Sequence, residues 1–543
     1  MNMSLTQKIR LATIFGIFII LYFVVLINLY VIQIFNHDFY ASIADNQYKV
    51  KITSYPIRAP IYDRNGKPLT LNKESLAAFI TPKNLENKIA ILNFLKKNFP
   101  AAYARIKEKP DENFIYVKRK LTENEIKIIE ESNLKDIKFL KEPARFYTCD
   151  SCGPILGITD IDNQGLFGLE LVFNKKLAGM PSTYLIDMDA RSGHFYFSKK
   201  LKEAGNEGSG ITLTIDNELQ FLAYEELEET IKNFEAKEGS VLIMNPENGQ
   251  ILAMVNYPDF DPNNFTGDID KTKNKIVTDV HEFGSVIKAF MALAAIDEKV
   301  VDVDETIDCE NTKSTYIDRT LVNTWKAHGQ IPFSDVIKQS NNIGVAKVAK
   351  KLGPKLYEHY TKLGFGKKTD LQFPAEPTGF VNPPNKWSRP SIISLSFGYE
   401  INGTILQLAK AFSVFANGGY LVEPTLILEN ETKKIKPIYS QETLEILRNI
   451  LQETVSDGTA HKAKLDGFNV LGKTGSARLI VDGTYQPNKN IFTFAGIIEK
   501  NSYKRLIITF IKEPNRKDVY ASSVTAPLFK NIAEKMIIYE KQI

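Results

Sequence analysis

From Val286 to Ile296 the chain reads Val-Ile-Lys-Ala-Phe-Met-Ala-Leu-Ala-Ala-Ile, apolar on every face except at Lys288. A helix that is hydrophobic all round belongs in an interior. An ammonium carried inside with it is costly unless it is paired, neutralised or used. Ser285 stands three positions before Lys288, which places the two side chains on one helix face, a turn apart. A hydroxyl beside an amine in apolar surroundings is the arrangement of an activated serine nucleophile. The pattern therefore predicts a buried helix that presents Ser285 as nucleophile and Lys288 as its general base. The spacing alone is cheap. Ser132-Asn-Leu-Lys135 repeats it among polar and charged neighbours, where nothing would make the lysine give up its proton.

With 543 residues the chain is too long for one core, so two or three folded units are expected. A content of 43% hydrophobic and 24% charged residues excludes a largely disordered or collagen-like chain. The net charge of +4 comes without a long basic block, so nothing points to nucleic acid as a partner. Leu11 to Phe35 contains no charged residue and, at about 1.5 Å per residue, is longer than a ~30 Å hydrocarbon core. Lys8 and Arg10 precede it and Asp38 follows, which predicts a cytoplasmic tail over 1–10 and an uncleaved membrane anchor over 11–35. The rest of the chain is then expected outside the cytoplasmic (inner) membrane. A cleaved signal peptide would have a shorter apolar stretch ending in small residues, unlike Ile32-Gln-Ile-Phe-Asn36.

Residues 36–210 alternate short strand-like runs with helical patterns near Asn84–Asn98 and Thr122–Ser132, an α+β domain with no catalytic constellation. Cys149 and Cys152 form either a local loop disulfide or two unpaired thiols, and Cys309 reads as a packing residue. The polar stretch Lys202–Gly210 opens a second domain, 211–543. Here Asn217–Ala236 is helical, and Ser240–Asn245 and Gln250–Asn256 flank a turn signal, Pro246-Glu-Asn-Gly249. Further strand-like runs lie at Val470–Leu479, Phe492–Ile498 and Leu506–Ile511, joined by turns with Asp482-Gly483 and Asn501-Ser502, before a helix from about Ala526. Two early strands, helices between and three late strands imply one antiparallel sheet covered by helices.

Two more motifs join the serine–lysine pair. Ser340-Asn-Asn342 interrupts two helical runs, as a capping turn would. Lys473-Thr-Gly-Ser476 lies inside a strand-like run, where Gly475 suggests that something approaches the backbone closely, with a bulge as the alternative. Each motif is weak alone, but in this order and on these elements the set resembles that of penicillin-binding proteins and serine β-lactamases. Arg58-Ala-Pro-Ile-Tyr-Asp-Arg-Asn-Gly66, Gly165-Leu-Phe-Gly-Leu-Glu170, Leu213-Thr-Ile-Asp216, Gly249–Pro258, Asp261-Pro-Asn263 and Ala526-Pro-Leu-Phe529 extend the resemblance to class B members, over nearly the whole chain. Ser340–Lys347 and Lys473–Arg478 are more similar to the division-specific type, penicillin-binding protein 3 or FtsI, than to the elongation type. Phe283 stands where the family usually has proline, and Ser476 where threonine is common.

The resemblance implies a single N-terminal transmembrane helix, a pedestal domain over 36–210, and a β-lactamase-like α/β transpeptidase domain over 211–543. It implies a peptidoglycan D,D-transpeptidase that crosslinks stem peptides of lipid-linked or nascent glycan strands and is acylated by β-lactams. Ser285 would be the nucleophile, Lys288 the base, Ser340 a proton relay, Asn342 an orienting group and Lys473 an electrostatic one. Thr474, Gly475 and Ser476 would bind substrate, and the backbone N–H groups of Ser285 and Ser476 would hold the oxyanion. No metal or cofactor is needed. Partners would include a polytopic glycan polymerase of the FtsW type and other division proteins. A β-lactamase or carboxypeptidase, a β-lactam sensor and an elongation enzyme are the alternatives. Glu376 is the one carboxylate downstream of Ser340 that a hydrolase could use on water.

Overall fold

A computed structural model describes residues 5–112, 114–188, 195–428, 437–481, 484–516 and 518–541. The turn expected at Asp482-Gly483 lies outside them. Two compact units result, one made of 1–57 with 178–208 and the other of 58–177 with 209–543.

The first unit begins with a helix over Leu5–Tyr30 that runs through a wide turn at Val31–Phe35 into a second helix, His37–Tyr48. Leu5–Phe35 is long and apolar enough to cross a membrane, and its large apolar side chains are exposed. Such a surface is stable only against lipid or another apolar partner. The unit also holds a three-stranded antiparallel sheet in which Ser182–Met188 lies between Lys49–Ser54 and Phe195–Glu203.

In the second unit, residues 58–177 contain a small antiparallel sheet with Thr70–Ile80 at its centre, between Ile115–Lys118 and Lys138–Tyr147. Helices Lys88–Asn98, Pro100–Glu108 and Glu123–Glu131 bury Ile91, Leu95, Ile106 and Ile129 against it. Two stretches that carry the family resemblance meet in a buried ion cluster. Arg58 Nε donates to Glu170 Oε2 at 2.6 Å and Arg145 Nε to Oε1 at 2.7 Å, while Arg58 Nη1 bonds Asn174 Oδ1 at 2.7 Å. Such charges are tolerable inside only because each is bonded. Cys149 and Cys152 are disulfide-bonded, and Gln220 Nε2 donates to the Ser151 carbonyl between them at 2.8 Å.

The remainder is built around one sheet. Asp216 accepts the N–H groups of Glu218 and Leu219 and so caps helix α1, Asn217–Phe234. Strands β1 (Glu238–Met244) and β2 (Ile251–Tyr257) form the expected hairpin, with Gly249 at φ 74° in its turn. The chain then supplies α2 (Lys288–Asp297), α3 (Phe333–Lys338) and α4 (Asn342–Leu352) before returning as β3 (Asn469–Val481), β4 (Thr484–Lys500) and β5 (Tyr503–Lys512). The five strands are antiparallel in the order β2-β1-β5-β4-β3, so early and late strands meet at β1 and β5.

Both faces of the sheet are covered, which is why its strands read as continuous apolar runs. Val241, Ile243 and Ile507 pack beneath α1 and the last helix, α5 (Ala521–Tyr539). Leu242, Met244 and Ile508 pack on the face that carries α2. In α2, Phe290 is fully buried and stacks on Phe415 at 5.8 Å. Helix α5 starts five residues before the expected Ala526. Pro527 sits inside the helix, where it removes one backbone hydrogen bond.

Candidate active site

The environment of Ser285 differs in one respect from the helix that the sequence predicts. Gly284–Ile287 is a tight 3₁₀ turn, and the α-helix begins at Lys288. In a 3₁₀ turn residues three apart eclipse each other, so the Ser285–Lys288 relation survives the change. Ser285 is half-buried at the turn, whereas Lys288 is fully buried.

The Lys288 amine points at the Ser340-Asn-Asn342 turn. Its Nζ donates to the Ser340 carbonyl oxygen at 2.8 Å and to Ser340 Oγ at 3.1 Å, and it bonds Asn342 Oδ1. Among the described residues no carboxylate pairs with it. Burial first, and the positive charge of Lys473 second, hold this amine well below the ordinary lysine range.

The turn between α3 and α4 divides its labour residue by residue. Ser340 adopts φ 55°, a left-handed conformation that costs a serine about 1 kcal/mol or more and so implies that the surroundings impose it. Asn341, which the sequence does not single out, does the capping. Its Oδ1 accepts the Gly344 N–H at 3.0 Å, and its Nδ2 faces His328 Nδ1 at 3.2 Å. That frees Asn342 to bridge Lys288 to the Asn323 carbonyl, to which its Nδ2 donates at 2.6 Å.

The third motif lies on β3, the edge strand. Lys473 is fully buried, and burial brings its amine down to about 7. If Lys288 is neutral, Lys473 carries the only charge of the two. Thr474 is buried with its hydroxyl 3.4 Å from Thr459 Oγ1, and Ser476 is exposed. Gly475 is not a bulge, because β3 keeps register with β4 from Asn469 through Arg478. The glycine answers a close approach instead. A Cβ on Gly475 would lie 2.2 Å from the Phe283 carbonyl oxygen, and one on Gly284 would lie 2.2 Å from that of Ser476. No side chain fits between the strand and the nucleophile's turn.

The three sequence motifs therefore converge on one cleft. Glu376 belongs elsewhere. It is buried, and its Oε1 accepts the Thr369 N–H at 2.8 Å and the Thr369 hydroxyl at 2.7 Å, which makes it a loop brace. Ser132 ends a helix and Lys135 is exposed, so that pair stays inert. Thr459 and Glu282 join the site without any sequence signal of their own. A concavity of about 1000 Å³ elsewhere is lined by Phe99, Arg105 and Tyr116 among others and by none of the site residues. Among the described residues no group of three or more His, Cys, Asp and Glu side chains could hold a metal ion.

Comparison with known proteins agrees with this architecture. The penicillin binding protein transpeptidase domain matches residues 239–534, and the penicillin-binding protein dimerisation domain matches 53–213. The chain is similar to a probable peptidoglycan D,D-transpeptidase, PbpC, of Pseudomonas aeruginosa, at 30% identity over 92% of this chain and 90% of that one. It is 28% identical to the peptidoglycan D,D-transpeptidase FtsI of Escherichia coli, over 87% of this chain and 82% of the other. Among solved structures, penicillin-binding protein 3 of Mycobacterium tuberculosis with aztreonam superposes with a TM-score of 0.68 at 24% identity, covering 90% of this chain and 97% of that one. Penicillin-binding protein 2X of Streptococcus thermophilus gives 0.71 at 19% identity, covering 90% and 80%. The chain belongs to the class B penicillin-binding proteins and is a serine-type peptidoglycan D,D-transpeptidase.

Proposed function

We propose that this transpeptidase crosslinks stem peptides during septal wall synthesis, with residues 1–10 in the cytoplasm and both folded domains on the outer side of the cytoplasmic membrane. The observation that carries the chemistry is the buried Lys288 amine, which has oxygen acceptors but no carboxylate partner. A neutral amine has two N–H donors and one lone pair. Donation to the Ser340 carbonyl and to Asn342 Oδ1 uses both donors. The lone pair then faces the Ser340 hydroxyl at 3.1 Å and takes the Ser285 proton once that hydroxyl turns away.

Ser285 Oγ attacks the carbonyl carbon of the penultimate D-Ala, and its proton passes to Lys288 Nζ. The N–H groups of Ser285 and Ser476 stabilise the tetrahedral oxyanion. The peptide C–N bond breaks as Ser340 relays the proton to the departing D-Ala nitrogen. The ester on Ser285 is then attacked by an amine of a neighbouring stem peptide. That amine's proton returns through Lys288, and the serine is regenerated. Lys473, Thr474 and Ser476 receive the terminal carboxylate, and substrate lies along edge strand β3 close to Gly475. A β-lactam follows the same first step and stops at the ester. Residues 36–210 serve as the pedestal and as the docking region for an FtsW-type polymerase and other division proteins.

Labelling with a fluorescent penicillin tests this reading. A stable adduct present in the wild type and absent in Ser285→Ala supports it, and rapid release of the label would instead indicate a hydrolase. Depletion separates the wall roles: filamenting cells fit a septal enzyme, and cells that round up would overturn that assignment in favour of elongation.

A further inference from the structure

Glu282, three residues before Ser285, carries a carboxylate that the reaction above does not use. We propose that Glu282 is a positioning residue, which latches the β3–β4 hairpin and the loop at Tyr399–Glu400 onto the turn that presents Ser285. The inference rests on Ser285 being the nucleophile of the transpeptidase.

Three segments distant in sequence meet at this carboxylate. The Tyr485 hydroxyl, from the β4 side of the hairpin, lies 3.0 Å from Glu282 Oε2 and 3.2 Å from Oε1. The Glu400 N–H donates to Oε1 at 3.0 Å. Tyr399 sets its ring edge-on to Tyr485 at 5.3 Å, with its hydroxyl near the Arg478 backbone of β3. The same segments interlock in their backbones. A Cβ on Gly398 would lie 2.1 Å from the Gly284 carbonyl oxygen, as one on Gly284 would strike that of Ser476. Glycines allow this approach, but glycines alone hold nothing in place. Glu282 supplies the tie.

An ionised carboxylate only accepts, which matches the two donors aimed at it. Once protonated, the carboxyl still accepts the Glu400 N–H, and its O–H can donate to the Tyr485 oxygen, so both ties survive without burying a charge. The ionisable groups that face Glu282 are Tyr485 from the hairpin and Tyr399 and Glu400 from the loop, and the Glu400 carboxylate is itself bonded by Asn382 Nδ2. Burial raises Glu282 to about 7, with the Glu400 charge adding to the rise and the bonds from Tyr485 and Glu400 N–H opposing it. The closed latch therefore binds a proton more tightly than a released, solvated carboxyl, so it is firmest at low pH and loosens as pH rises toward about 7.

The experiment uses the full chain in detergent, as wild type, Glu282→Gln and Tyr485→Phe. Acylation by a fluorescent penicillin is timed from pH 5.5 to 9, and hydrogen exchange is followed over the β3–β4 hairpin. Protection of the wild-type hairpin should fall as pH rises from 5.5 through 7, and Glu282→Gln, neutral throughout, should lose that pH dependence. Tyr485→Phe should acylate about tenfold more slowly at pH 5.5, the size of one lost hydrogen bond, and exchange faster than wild type in the hairpin. If Glu282→Gln does not fold, Tyr485→Phe and Glu282→Asp carry the same comparison. The same fall in protection with pH in Glu282→Gln, together with wild-type protection in Tyr485→Phe, would overturn the latch. A wild type that takes no label sinks the transpeptidase reading instead, and the exchange data still decide the latch.

Discussion

Ser132 and Lys135 stand at the same spacing as Ser285 and Lys288, yet the two pairs occupy opposite surroundings. Ser132 closes a surface helix, with its hydroxyl donating to the Ile129 carbonyl at 2.6 Å, and Lys135 projects into solvent. Lys288 is enclosed by apolar residues of α2 and touched only by oxygen acceptors of another turn. Water stabilises the Lys135 ammonium, whereas burial and the charge of Lys473 oppose that of Lys288. The same residue types meet opposite solvation, and only the buried amine meets the condition for a base. Spacing brings a serine and a lysine together; the interior decides whether a proton moves.

The first way to break the comparison is to remove each amine. Lys288→Met should slow acylation by a fluorescent penicillin by roughly 10²–10⁴-fold, the usual contribution of a positioned general base. Lys135→Met should leave it unchanged. Equal rates in the wild type and Lys288→Met would end the case for this amine as the base.

A second test reads the cost of the interior through stability. Lys473 has its amine lowered to about 7 by burial, against an unfolded value of ~10.4. Below pH 7 both states are charged and the full penalty for burying the ammonium is present. Between pH 7 and about 10 the unfolded chain binds more protons than the folded one, so stability rises with pH. Thermal unfolding of Lys473→Met should lack this rise, with a relative gain on the order of a few kcal/mol at pH 6.5 that fades by pH 10. A parallel pH dependence in the two proteins would show that Lys473 is solvated after all.

Much of this was legible in the chain, for local reasons. Apolar runs between turn residues announce β1, β2 and the cores of β3–β5, and the all-apolar face of α2 marks burial without any knowledge of the fold. What stayed hidden depends on contacts between distant residues. Asn341 and Asn342 are identical in type, and only the backbone at Ser340, with φ 55°, decides that the first caps α4 while the second faces Lys288. Thr459 matters because the chain returns it beside Thr474, and Glu282 because Tyr485 arrives from 203 positions away. Gly475 reads equally as a bulge or a close approach until the Phe283 carbonyl is seen against it. The helix at Pro100–Glu108 is not among those expected, although proline is a favoured start at its first turn.

The turn that receives Lys288 gives a smaller effect. Asn342→Ala removes one oxygen from the amine and leaves the Asn323 carbonyl without its donor. The expected loss is about 10- to 100-fold in acylation rate, from one or two unmet hydrogen bonds. Asn341→Ala, one position away, should appear mainly in thermal stability, at about 1 kcal/mol for a lost cap. Reversed sensitivities would mean that the division of labour between the two asparagines is misassigned.

The smallest effect belongs to the inert pair, and it is the sharpest check on the argument from solvation. Ser132 Oγ donates to Ile129 O and lies 3.4 Å from the Leu134 N–H, both within the end of its own helix. Ser132→Ala gives up that local bond at a half-buried site where water can replace it, so the cost should stay within about 0.5–1 kcal/mol. Acylation kinetics and the pH profile should match wild type, since Ser132 shares no partner with Ser285, Lys288, Ser340 or Asn342. A lowered labelling rate in Ser132→Ala with unchanged stability would mean that this face reports to the catalytic centre. Spacing would then carry information that burial does not.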